Sequence, residues 1–391
     1  MAPFALDTIL YKADNLFREN TGLDLHAMGE LEFFLIGEPA NNLYPNPKQR
    51  GYQASAPFVK TGQILDEMVR LISQISGAVK YAHSEVGYVE SVRSNMEEIK
   101  GKQAEQLEIE FLPTPIMDAG DNLVLARWLI RNIAYQNGCV ATFAPKVEEG
   151  VAGNGLHVHM KLMKNGENKM VDKNGTLSIE AKKMIGGLCA YAETLTAFGN
   201  TVSSAYLRLV PNQEAPTRIC WSDQNRSAMI RVPLGWSKMN NLAKKLNPKQ
   251  KELFEEPQGR QTLELRSPDG SALIHLLLAG ITLAAEQGLN DSKSLGITEK
   301  LHVEGNIFEN EKLLKTLVAL PKSCVGSAKV LANNRNLYER DGIFPSSIID
   351  YTVKSLNKEN DEFMNQELID MPADDRLHKT RKIMHKDLHK H

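Results

Sequence analysis

The chain has 391 residues, 42% of them hydrophobic and 24% charged, with a formal net charge of −2. That is the composition of a folded protein with a sizeable core, and its near-neutral balance argues against general nucleic-acid binding, which leaves a basic excess. Four scattered cysteines without a CxxC pair, no basic-then-apolar leader, and a longest apolar run (272–285) too short to span a bilayer lead us to expect a cytoplasmic protein.

In chain order, residues 6–20 have helical spacing of Leu6, Ile9, Leu10, Ala13 and Phe17, and Thr21-Gly22 ends the run. Residues 29–37 (GELEFFLIG) predict a strand, 61–79 an amphipathic helix, and 87–92 and 106–113 strands joined by a charged loop. A helix over 118–138 follows, then strands at 139–146 and 156–163 around a turn containing GVAGNG, then a helix over 178–199. The polar stretch 237–259 reads as an inserted surface loop, 261–271 as strand and turn, and 272–289 as a buried helix. The remainder is mainly helical, with a core expected to end near residue 360 and a basic, His-rich helical extension over 361–391. Hairpins mixed with long helices, without strict βαβ alternation, predict an α+β fold: a mostly antiparallel, curved sheet with flanking helices.

Residues two apart on a strand share a face. Glu30 and Glu32 therefore point the same way, as do Gln106, Glu108 and Glu110, His157 and His159, and Glu264 and Arg266. The opposite faces carry Leu31, Phe33, Leu107, Ile109, Val158, Leu263 and Leu265, which suit a core. Any one such polar face reads as an ordinary solvated one. Together they are rich in Glu, His and Arg rather than Ser, Thr and Lys. Residues 203–233 add Arg208, Arg218, Arg226 and Arg231 around one carboxylate, Glu214, in a proline-bounded segment. Carboxylates with one imidazole suit Mg²⁺ or Mn²⁺ better than Zn²⁺, and guanidiniums grip carboxylates and phosphates at two points. Metals beside arginines are the usual equipment of phosphoryl transfer, yet no Walker or kinase glycine loop is present.

The ordered set GELEFF, QLEIEF, TFAPK with GNGLHVHMKL, LRLVPNQEAP, WSDQNRSAMIRVP and LELRSPDGSA resembles the glutamine synthetase family. The resemblance extends weakly from about residue 6 to about 360 and implies an ATP-dependent glutamate–ammonia ligase acting through γ-glutamyl phosphate, with two or three Mg²⁺ or Mn²⁺ ions. It implies that Glu30, His157 and Glu264 hold one metal and Glu32 and Glu108 another. It assigns Arg208 and Arg266 to substrate carboxylates, Arg226 and Arg231 to the phosphoryl group and ATP, and His159 to the nucleotide phosphates. Gly153 and Gly155 would let the backbone approach glutamate, and Glu214 would sit on a flap and take a proton from ammonium. A ring-shaped homo-oligomer is implied as well. Within the same resemblance, a ligase for polyamines or alkylamines and a non-catalytic subunit are the alternatives.

Departures from the family pattern shape further expectations. The third carboxylate of the inner metal falls at Lys100 or Gly101; Glu98 is the candidate, with Glu97 and Glu105 as alternatives. A family arginine is replaced by Thr262, for which Arg260 is the candidate substitute. Ala152 and Lys161 replace the family's asparagine and serine. The small β-grasp domain that opens family members has no counterpart before residue 6, so a truncated chain, a separate partner domain or chain, and independence from that domain all stand as expectations. Outside the motifs, Arg218 reads as a surface or salt-bridge residue, His275 as a core histidine and the tail histidines as a solvated helix.

Overall fold

A computed structural model describes residues 2–39, 44, 48–210, 215–235, 246–249, 251 and 259–391. Most of the expected loop over 237–259, and Glu214, lie outside the described residues. Helix α1 (Leu6–Thr21) buries Ile9, Leu10, Ala13 and Phe17 on one face and ends at Gly22, whose φ of 64° is the left-handed cap that a residue without Cβ adopts readily. It leads into β1 (Asp24–Gly37), which starts five residues before the expected strand because the alternation of buried Leu25 and Ala27 continues it backwards.

Helix α2 (Gly62–Ser76) stops at Gly77, so the next strand, β2 (Val79–Val89), begins well ahead of the expected residue 87. Strands β3 (Gln103–Phe111) and β4 (Thr114–Pro115) precede helix α3 (Ile116–Gln136), and β5 (Val140–Thr142), β6 (Leu156–Lys164) and β7 (Glu167–Asn168) follow it. Ser178 caps α4 (Ile179–Gly199) by accepting from the Ala181 amide. The one-turn helix α5 (Ala205–Arg208), strands β8 (Trp221–Asp223), β9 (Ile230–Val232) and β10 (Leu263–Leu265), and helix α6 (Ile274–Asn290) come next, and the described remainder is helical.

The strands form one sheet in the order β2-β3-β1-β6-β10-β9-β8, with β4 and β5 also on β1 and β7 on β6. All pairings are antiparallel except β8 with β9. Leu31, Phe33, Leu107, Ile109, Val158, Leu263 and Leu265 join residues of α1, α3, α4 and α6 in the main core. Burying each such side chain contributes about 1.5–3 kcal/mol, which fixes which face of the sheet looks away from the helices. That other face is divided along β1. Glu30 and Glu32 occupy its middle, whereas Phe34 and Ile36 pack with Val89, Val92, Ile99, Val147 and Leu388 in a second, smaller core.

Candidate active site

The register builds the site row by row. Glu32 lies opposite Glu108, which lies opposite His83; Glu30 lies between Glu110 and His157; Glu264 lies between His159 and Arg231. Paired residues on neighbouring strands share a face, so these side chains converge. Glu30 bridges two imidazoles, 2.9 Å from His157 Nδ1 and 2.9 Å from His159 Nε2. His159 uses its other nitrogen on the Thr262 hydroxyl at 3.0 Å. Glu32 accepts the Gly155 amide at 2.8 Å. His83 Nε2 lies 2.8 Å from Glu108, and Lys80 pairs with Glu110 at 2.8 Å. Glu264, fully buried, pairs with Arg231 at 2.8 Å and with Arg266, and its carboxylate lies 3.6 Å from His157.

The electrostatics follow from this crowding. Burial alone would raise the Glu30 carboxyl, but His159 and His157 hold it well below the usual range. His159 is raised in turn, its desolvation outweighed by Glu30, Glu264 and Glu110. His83 is also desolvated, yet Glu108 and Glu110 push it up to about 11. Glu108 goes the other way: burial first, then the charges of Glu30, Glu32 and Glu85, raise its carboxyl well above normal in spite of His83. Packed carboxylates that oppose one another's ionisation are what a divalent cation relieves. Among the described residues, three sets of donor atoms lie within 4.8 Å of one another: Glu30, Glu108 and His157; Glu30, His159 and Glu264; and His83, Glu108 and Glu110. Oxygen-rich sets with an imidazole fit Mg²⁺ or Mn²⁺.

Beside this wall is a cavity of about 280 Å³, lined by Glu32, Glu85, Gln106, Lys146, Gly153, His157, Arg208 and Ala215 among others. Arg208 is buried and anchored by donating to the Ser267 carbonyl at 3.1 Å. A Cβ on Gly155 would come within 2.7 Å of the Arg208 guanidinium and 2.9 Å of His157, and one on Gly153 within 2.3 Å of the Pro145 carbonyl, so both positions need glycine to let these groups close in. Arg266 Nε donates to the Arg226 carbonyl at 3.1 Å, while the Arg226 guanidinium is exposed, 5.9 Å from the Tyr52 ring centroid. Lys146 is pushed down to about 8 by burial and then by the charge of Arg208.

Several expectations meet a different environment. Glu98 is exposed and pairs with His389 at 2.7 Å, so the structure does not bring it to the carboxylate wall. A further carboxylate lining the same cavity as Glu32 is Glu85, on β2, which sequence reasoning missed along with His83. The alternation Tyr81, His83, Glu85 was the available signal, left out because the expected strand begins only at residue 87. Arg260 is exposed, and Thr262 holds His159 rather than standing beside a replacement arginine. Glu110 is buried, not a solvated strand residue. His275 pairs with Asp121 at 3.0 Å instead of sitting in the core. The tail is not a solvated helix throughout, since His385, Leu388 and His391 are buried.

Comparison with known proteins places this geometry. A glutamine synthetase from Aquifex aeolicus is 30% identical over 320 residues, covering 82% of this chain and 60% of the relative. A second, from Thermus thermophilus, is 35% identical over 217 residues, covering 54% of this chain and 44% of the relative. The chain thus spans roughly three-fifths or less of these relatives' lengths. A solved glutamine synthase homologue superposes with a TM-score of 0.70 at 21% identity, over 97% of this chain and 75% of the other. A GmaS/ADP complex does so with 0.66 at 19%, over 96% and 76%; at such identities the likeness is one of fold. No helix among the described residues is long and apolar enough to cross a membrane. Residues 8–368 match the model of the glutamine synthetase catalytic domain, and the chain belongs to the glutamine synthetase family.

Proposed function

We propose that this chain is an ATP-dependent carbon–nitrogen ligase that makes glutamine from glutamate and ammonia through γ-glutamyl phosphate. The observation that carries this reading is the wall of half-buried Glu30 and Glu32 with buried Glu108, His157 and Glu264 beside a cavity lined by Arg208, Gly153 and Glu85. Glu30, His157 and Glu264 would hold one Mg²⁺ or Mn²⁺, and Glu32, Glu85 and Glu108 another. When bound, these ions supply charge neutralisation of the phosphate oxygens.

The chain's own groups do the rest. Arg208 and Arg266, each fixed by a backbone carbonyl, grip the amino acid's carboxylates. Gly153 and Gly155 admit its backbone. Arg226 and Arg231 steady the phosphoryl group as the γ-carboxylate oxygen attacks phosphorus and ADP leaves. Glu214 takes a proton from ammonium, and the resulting ammonia attacks the acyl carbon and expels phosphate. Excluding water protects the acyl phosphate from hydrolysis. A ring-shaped homo-oligomer and a β-grasp domain supplied with the site belong to the same proposal.

The test is ADP release by the full chain with ATP, Mg²⁺ and glutamate, with ammonium, methylamine or a polyamine as acceptor. Ammonium-dependent release with glutamine as product is expected. A strong preference for an amine moves the acceptor assignment, and no release with any acceptor overturns the ligase reading.

A further inference from the structure

A second cavity, about 710 Å³, shares Lys146 and Gly150 with the first. Much of its wall is apolar, from Leu207, Leu320, Leu368 and Met384. Among the described residues its charged lining is lopsided: Lys146, Arg218, Lys322 and Arg376 against the single carboxylate of Glu149. That carboxylate is already engaged by Arg376 at 3.1 Å. Arg218 is half-buried, with its backbone bridged to Ala319, and its Nε is shielded from solvent without a hydrogen-bond partner. No ion pair involves it among the described residues, and it has no task in the proposed ligase chemistry.

Apolar walls with a few convergent charged groups are the usual make-up of a small-molecule site. Here the charge balance selects an anion and the walls select an apolar body. We propose that this cavity binds an amphipathic monocarboxylate, an acyl or aromatic acid, with Arg218 gripping the carboxylate and Leu207, Leu320, Leu368 and Met384 covering the body. Arginine suits this because its planar fork meets a carboxylate at two points.

Calorimetric titration of the full chain with octanoate tests this, with octylamine as the charge-reversed control. Saturable octanoate binding, absent for octylamine, is expected. Arg218→Gln should weaken octanoate by about tenfold or more, the loss of one charge-assisted contact. Ala319→Trp, at a half-exposed position on the wall, should block it by filling the cavity. Melting curves identify any variant that fails to fold, and if Arg218→Gln fails, Ala319→Trp carries the test alone. Equal binding of octanoate and octylamine, or octanoate affinity unchanged in the folded variants, overturns the assignment. So does a change in sedimentation of Ala319→Trp without loss of octanoate, which would make this face a protein contact.

Discussion

His83 and His385 are both largely removed from solvent, yet their surroundings push them in opposite directions. His83 stands against Glu108 and Glu110, which overcome desolvation and keep it charged to about pH 11. His385 bridges the Ser94 hydroxyl at 3.0 Å and the Val147 carbonyl at 2.9 Å, and there burial prevails and lowers it. The carboxylate wall concentrates charge for a ligand. The tail uses imidazole as a neutral cross-brace that holds the segment beside the smaller cavity. Arg381 adds a contact to Glu148 at 3.1 Å, Thr142 donates to the Leu388 carbonyl at 2.7 Å, and the Phe143 amide donates to the His391 carbonyl at 3.0 Å. Burial alone decides little about such groups; the partners that burial brings decide the rest.

The strongest way to break this division is Glu264→Gln. If the wall is where charge does chemistry, ADP release should fall by about a thousandfold, in the range of losing a preorganised electrostatic group, while circular dichroism shows the fold retained. Unchanged turnover would remove Glu264 from the site. On the tail side, Leu388→Ala should cost about 2–5 kcal/mol, because Leu388 is fully buried in the smaller core. An unshifted melting temperature would show that the tail braces nothing.

Metal affinity sharpens the wall itself. Glu85→Gln should weaken Mn²⁺ binding in calorimetry by about tenfold or more, at least what outer-shell changes cost. Glu98→Ala should leave it unaltered; the reverse pattern would restore Glu98 as the ligand. The tail should also respond to acid. Burial lowers His385 and takes His391 down to about 3. The unfolded chain therefore binds protons first, and stability should fall as pH drops from about 6.5 towards 3. Replacing both histidines by glutamine should flatten that slope in denaturant titrations, and an unchanged slope would assign it to other groups. The smallest effect is expected from exposed Arg260: Arg260→Ala should leave the KM for ATP where it was, and a marked rise would return Arg260 to the nucleotide site.

Much of the wall was legible in the linear sequence because a strand alternates every two residues. Glu30 with Glu32, Glu108 with Glu110, His157 with His159, and Glu264 with Arg266 each declare a shared face, and the apolar residues between them declare the core. The family motifs reinforced that reading for the same reason, being short and local. What alternation does not encode is register. Only the pairing of β2, β3, β1 and β6 sets His83 opposite Glu108 and Glu30 opposite His157. Glu85 is missed when the strand is begun at residue 87 rather than 79, and Glu98 stands in because the family spacing falls on Lys100 or Gly101, neither of them a carboxylate. The buried tail could not be inferred at all from its own residues, which are basic and rich in histidine. Its burial comes from Thr142, Phe143, Val147 and Glu148, more than two hundred residues earlier, and such distant contacts are made only when the chain is folded.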